Sequence, residues 1–251
     1  MHYFGGKAKI SEELSSFLNS ELEDDQPFVD LFCGSCNIIS KIDSNRLRIA
    51  NDKHKYLIAM WKGLQDGFEP PKDISLEQYQ EIRENLDVNP ALSGFVGFGC
   101  SYAGKWFDSF AKSDDGRPYS LNAYNSTKRK FESLKDVQFY NYDYRELDIP
   151  EGSLVYCDIP YRGTGQYCKE EVGVFDHDDF YKWVDENCLK YKIYISEYVQ
   201  NTPKNYDVVW MKRSKQDMRN SLNKNNATQE VLLVCKTTET GELLTSEFSW
   251  M

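Results

Sequence analysis

The chain has 251 residues, 40% hydrophobic and 14% aromatic, with 40 acidic against 30 basic side chains and a formal net charge of −10. That length suits one large domain with a real core, and the acidic balance excludes a protein that holds a polyanion through overall charge alone. No run of about 18 apolar residues occurs, "MHYFGGKAKI" lacks a signal-peptide core, and the cysteines number seven, so a soluble protein of a reducing cytosol with free thiols is expected.

In chain order, "PFVDLF" (27–32) reads as a buried strand running into the turn "CGSCN". "RLRIAND" (46–52) reads as a second strand, and "HKYLIAMWKGLQDG" as a helix stopped by Gly67. This is the β-α-β-α rhythm of a doubly wound sheet. From 67 to 135 the pattern turns helical, in "SLEQYQEIRENL", "PALSGFVGFGCSYAGKWF" and "YSLNAYNSTKRKFESL". Strands resume at "VQFYN" and "SLVYCD", a helix follows in "DHDDFYKWVDENCLKY" with Asp176 as its N-cap, and "KIYIS", "YDVVWM" and "QEVLLVCK" close the chain as strands. The expectation is an α/β domain in two parts, residues 1–66 and 136–251, interrupted by a helical insertion at 67–135.

In open α/β sheets ligands sit beyond the carboxyl ends of the strands. Asp52, Asp143 and Asp158 fall at such ends, and Asp30 stands just before the turn that holds Gly34. Cys33 and Cys36 form a C-x-x-C pair, but no second pair and no suitably spaced histidine complete a zinc site, so small residues at a tight turn explain them better. The acidic run at 176–179 fits a helix start, where carboxylates favour the dipole. No metal is expected. "STKRK" (126–130) and "KRSKQDMRNSLNK" (212–224) are the clearest basic stretches, and a solvated face is the ordinary reading of each.

"YFGGKAKI" near the start, "DLFCGSCN", Asp52, "FGCSYAGKWF", "DIPY" (158–161) and "YISEY" (194–198), in that order, resemble the Dam-type family of DNA adenine N6-methyltransferases in its phage and bacterial style. The resemblance covers nearly the whole chain. It implies a Rossmann-like methyltransferase fold with a mixed, mostly parallel sheet and a helical target-recognition insertion. It implies S-adenosylmethionine as donor, lined by Tyr3, Lys7, Asp30, Phe32, Gly34, Asp52, Asp143 and Asp158. Asp158, Ile159, Pro160 and Tyr161 take the place of the catalytic DPPY motif. A flipped-out adenine would give its two amine N–H bonds to the Asp158 carboxylate and the Ile159 carbonyl, with Tyr161 stacked on the base.

Double-stranded DNA is the implied partner, in a bacterial or phage-infected cytoplasm; a restriction enzyme partner is not identifiable from the chain. Tyr102, Lys105 and Trp106 stand in the target-recognition motif, and Arg117, Lys128, Arg129 and Lys130 are candidate DNA contacts. Two residues depart from the family pattern. Ile159 replaces a proline but keeps the carbonyl; Cys36 replaces a glycine and is strained if that position needs positive φ. The rival readings are a degenerate binding protein and a methyltransferase acting on RNA or on cytosine N4.

Overall fold

A computed structural model describes residues 3–112, 118–164, 168–213 and 229–236 of the chain. Two compact units divide it: residues 1–148 with 167–174, and residues 149–166 with 175–251.

In the first unit, β1 (Phe28–Asp30), β2 (Arg48–Asn51) and β3 (Gln138–Tyr140) lie side by side in the order β3-β2-β1, all parallel. Every residue of β1 and β2 is buried, polar Asp30, Arg48 and Asn51 included, as is usual of parallel strands. α1 (Ser11–Ser20) buries Leu14 and Leu18. α2 (Lys55–Gln65) buries Tyr56, Leu57, Met60, Trp61 and Leu64, the helical stripe seen in the sequence. Gly67 follows with φ 91°, a conformation that suits its place just past the helix end.

The stretch between β2 and β3 is helical. α3 (Leu76–Glu84) starts at a capping box, in which Ser75 Oγ accepts from Gln78 N–H and the Gln78 side chain accepts from Ser75 N–H. α4 (Pro90–Gly99) starts with Asn89 as cap and proline at its first position, and α5 (Tyr119–Phe131) carries the basic "STKRK" run. α4 ends earlier than the apolar pattern predicts. Ser101 Oγ donates back to Gly97 O at 2.7 Å, and Ala103 and Gly104 turn with φ 54° and 69°. α4 crosses α2 at close range, since a Cβ on Gly94 would lie 2.0 Å from Tyr56 O.

In the second unit, β4 (Leu154–Cys157) and β5 (Lys192–Tyr198) are parallel, β7 (Gln229–Cys235) runs antiparallel to β5, and β6 (Tyr206–Arg213) antiparallel to β7. α6 (Lys169–Val172) is a single turn grouped with the first unit. α7 (His177–Asn187) is capped as expected: Asp176 accepts from the N–H groups of Asp178 and Asp179. The architecture is α/β with a mixed, mostly parallel strand set. Among the described residues no helix is long and apolar enough to cross a membrane, and all seven cysteines are free thiols.

Candidate active site

The first unit gathers its sequence-predicted residues around the loop after β1. Gly34 has φ 48°, and its N–H donates to Asp52 Oδ2 at 2.9 Å. Asp52 Oδ1 accepts from His54 N–H at 2.9 Å. One carboxylate at the end of β2 thus fixes two backbone positions. Burial raises the Asp52 pKa, against the two N–H groups that lower it. Tyr3 lies on Gly34 closely enough that an added Cβ would stand 3.1 Å from its ring, and it packs on Phe98 with centroids 5.0 Å apart. Lys7 and Asp30 are buried, and Phe32, half-buried, packs on Tyr144.

Cys36 has φ 56° and is fully buried, so the residue that replaces glycine does sit where glycine is favoured; such a conformation costs on the order of 1–2 kcal/mol. Asp143, also a candidate donor contact, is ion-paired. Its carboxylate takes Arg145 Nε at 2.7 Å and Lys53 Nζ at 3.0 Å, and these bonds keep its carboxyl well below the usual range.

Lys130 was read as a DNA contact, yet its ammonium points under the same loop. Nζ donates to Ser35 O and to Asn37 Oδ1, both at 2.6 Å. Burial lowers its pKa to about 8. A phosphate contact from Lys130 would require both bonds to break. This loop brace was missed because a lysine in a run of basic residues carries no sign of which member turns inward; position on the helix decides it.

The other predicted DNA contacts divide by surroundings. Tyr102 is 65% exposed, at the tip of a loop that also has Ala103 and Phe107 at φ 54° and 41°. Lys105 Nζ lies over the Phe4 ring at 5.2 Å, and Phe4 N–H donates to Gly104 O, which ties the N-terminal motif to this loop. Trp106 faces inward: it stacks on Tyr56 at 5.3 Å and its Nε1 donates to Glu171. Lys128 pairs with Glu69 at 2.8 Å, while Arg129 is exposed. Arg117 and most of the stretch 212–224 lie outside the described residues.

In the second unit, the loop after β4 is held by its own neighbours. His177 Nε2 bonds Pro160 O at 2.7 Å, Thr164 Oγ1 donates to Tyr161 O at 2.7 Å, and Asn201 Nδ2 donates to Arg162 O at 2.9 Å. Between residues 159 and 162, the Ile159 carbonyl alone has no hydrogen-bond partner among the described residues. The Ile159 side chain is buried, and Asp158 is half-buried. Tyr161 packs edge-on against Tyr198 at 4.4 Å and its hydroxyl donates to Glu230. Burial, then the Asp158 carboxylate, push its phenol well above the ordinary value, so it stays neutral.

Glu197, inside "YISEY", is the support that motif reading did not single out. It is 1% exposed and accepts from Arg162 N–H at 3.0 Å, Tyr198 N–H at 2.7 Å and Asn201 Nδ2 at 3.0 Å. An acidic residue near the end of a largely apolar, buried strand is the signal that marks it.

Residues 3–92 match the family model described as D12 class N6 adenine-specific DNA methyltransferase, which supports the family that the motifs resemble. No curated protein matches the chain. Among solved structures it is similar to precorrin-6y C5,15-methyltransferase from Geobacter metallireducens, 11% identical over 94% of each chain with a TM-score of 0.37. It is also similar to tRNA (m1A58) methyltransferase TrmI from Aquifex aeolicus, 11% identical over 91% of this chain and 70% of that one, with a TM-score of 0.35. Likenesses at this level assign no substrate.

Proposed function

With residues 3–92 matching the D12 class of N6 adenine-specific DNA methyltransferases, we propose that this chain transfers a methyl group from S-adenosylmethionine to the N6 amine of adenine in DNA. The observation that carries the reading is the acceptor pair of the "DIPY" loop: a half-buried Asp158 beside the Ile159 carbonyl, which has no hydrogen-bond partner among the described residues.

The donor residues fit the group they are asked to hold. Gly34, at φ 48°, lets the Tyr3 ring lie where a side chain would stand, and Asp52 offers a carboxylate at a strand end, where ribose hydroxyls are commonly read. Bound there, S-adenosylmethionine supplies an electrophilic methyl on a sulfonium. The protein's share is preparation of the nucleophile. An exocyclic adenine amine is weak because its lone pair is delocalised into the ring. Asp158 and the Ile159 carbonyl each accept one N–H, which holds the nitrogen nearer to tetrahedral and frees its lone pair for attack; as the nitrogen–methyl bond forms and the sulfur–methyl bond breaks, S-adenosylhomocysteine leaves and one amine proton passes to solvent. Tyr161 offers a neutral ring for the base, and Glu197 keeps the loop rigid. Loss of the proline's fixed φ at 159 is offset by the bonds at residues 160–162.

The reaction needs a base outside the duplex, reached by flipping at a cost of a few kcal/mol. Tyr102, exposed on its loop, is the ring proposed to fill the gap. Asp158→Ala and Asp158→Asn tested for labelled methyl transfer examine the reading: both should lose at least about a hundredfold in kcat, since removing one preorganised electrostatic contact costs 10²–10³. Turnover within tenfold of wild type in both would exclude the acceptor role.

A further inference from the structure

We propose that His54, Cys168 and Glu171 form a binding site for a single thiophilic divalent cation of the zinc type. One ligand atom from each lies within 4.8 Å of the other two. All three belong to the first unit. Metal–ligand bonds of about 2.0–2.3 Å in a tetrahedral site place donor atoms roughly 3.5 Å apart, so small side-chain rotations close the site.

The surroundings are those of a ligand set. His54 is 2% exposed, and its Nε2 has no hydrogen-bond partner among the described residues. A buried polar atom left open is costly, about 1–3 kcal/mol. Cys168 and Glu171 stand three apart about the single turn α6, so both reach one side; Cys168 is set by φ 60° and by Glu171 and Val172 N–H bonds to its carbonyl. Trp106 supplies an outer contact: its Nε1 donates to the Glu171 carboxylate. Bonds of that kind orient metal ligands. The rings of Tyr56, Phe98 and Trp106 wall the imidazole at 4.4–6.1 Å, so the site is dry on that side.

Charge and chemistry narrow the occupant. A thiolate and a carboxylate together neutralise a divalent cation, which suits a buried position. Sulfur, imidazole and one carboxylate select zinc-like ions over magnesium or calcium. On binding, Cys168 gives its thiol proton to solvent as the sulfur–metal bond forms. The imidazole proton moves from Nε2 to Nδ1. There it displaces a long contact, Leu57 N–H to Nδ1 at 3.4 Å, and Leu57 N–H keeps its 3.1 Å bond to His54 O. The fourth position is left to water. Such an ion would tie α6 to the start of α2, whatever reaction the protein performs.

Cobalt(II) titration of the metal-free, reduced full-length chain tests this. One equivalent should bind with tetrahedral d–d bands and a thiolate charge-transfer band, and zinc should displace it. Cys168→Ser should remove the charge-transfer band. Glu171→Gln, which keeps the fold's other contacts, should keep that band but weaken binding by about 10–100-fold. Cys33→Ser/Cys36→Ser should leave the spectrum unchanged. Absence of a charge-transfer band in the wild type, its survival in Cys168→Ser, or its loss in the Cys33/Cys36 variant would overturn the site. Should Cys168→Ser fail to fold, unchanged affinity in Glu171→Gln would do the same.

Discussion

Lys130 shows how one side chain can serve a purpose that its sequence neighbours conceal. It braces Ser35 and Asn37 from below, so Lys130→Met should loosen the loop that holds Gly34 and weaken donor binding by titration calorimetry, by roughly tenfold if both bonds matter. Its pH signature is specific. The folded pKa is lowered to about 8 from 10.5, so below pH 8 the fold pays to keep the ammonium charged. Between pH 8 and 10.5 the unfolded chain binds more protons than the folded one, and stability rises with pH. Denaturant melts should therefore show wild type gaining on Lys130→Met across that window. A constant difference would mean that the ammonium is not held as described. Asp158 and Ile159 are candidates through the resemblance of their motif to that of a family. The bonds of Lys130 and Glu197 could not be read from the sequence, because support is defined by which way a side chain turns in three dimensions.

Elements were legible where period and caps agreed. The stripe of α2, the Asp176 cap of α7 and the all-buried β1 and β2 follow from residue spacing. The end of α4 did not, since apolar residues continue to Phe107 while Ser101 and the turn at 103–104 halt the helix. Trp106, a candidate DNA contact by its place in the recognition motif, packs on Tyr56 and Phe98. Gly94 was unremarked in the sequence and is needed for the α2–α4 crossing. Gly94→Ala places a methyl 2.0 Å from Tyr56 O, and because backbone cannot step aside cheaply, stability should fall by about 1–3 kcal/mol or more. Chemical denaturation measures this, with little change expected in Ser75→Gly, where a cap loses only a few tenths. Equal stability of Gly94→Ala and wild type would show that the two helices have room to separate.

At the scale of the whole chain, a net charge of −10 must be overcome before DNA can be held. Affinity should fall with a log–log salt slope near −0.9 for each neutralised phosphate. Arg129, exposed on α5, is the member of "STKRK" free to contribute, so Arg129→Gln should flatten the slope by about one unit in anisotropy titrations. Lys130→Met should leave the slope unchanged and act on the donor instead. The most direct test of the central claim is labelled methyl transfer to unmethylated duplex DNA, followed by digestion to nucleosides. The proposed chemistry predicts label in N6-methyladenine, lost in Asp158→Ala and sharply reduced in Tyr102→Ala. Label in N4-methylcytosine, in RNA but not DNA, or in no nucleoside at all would contradict it.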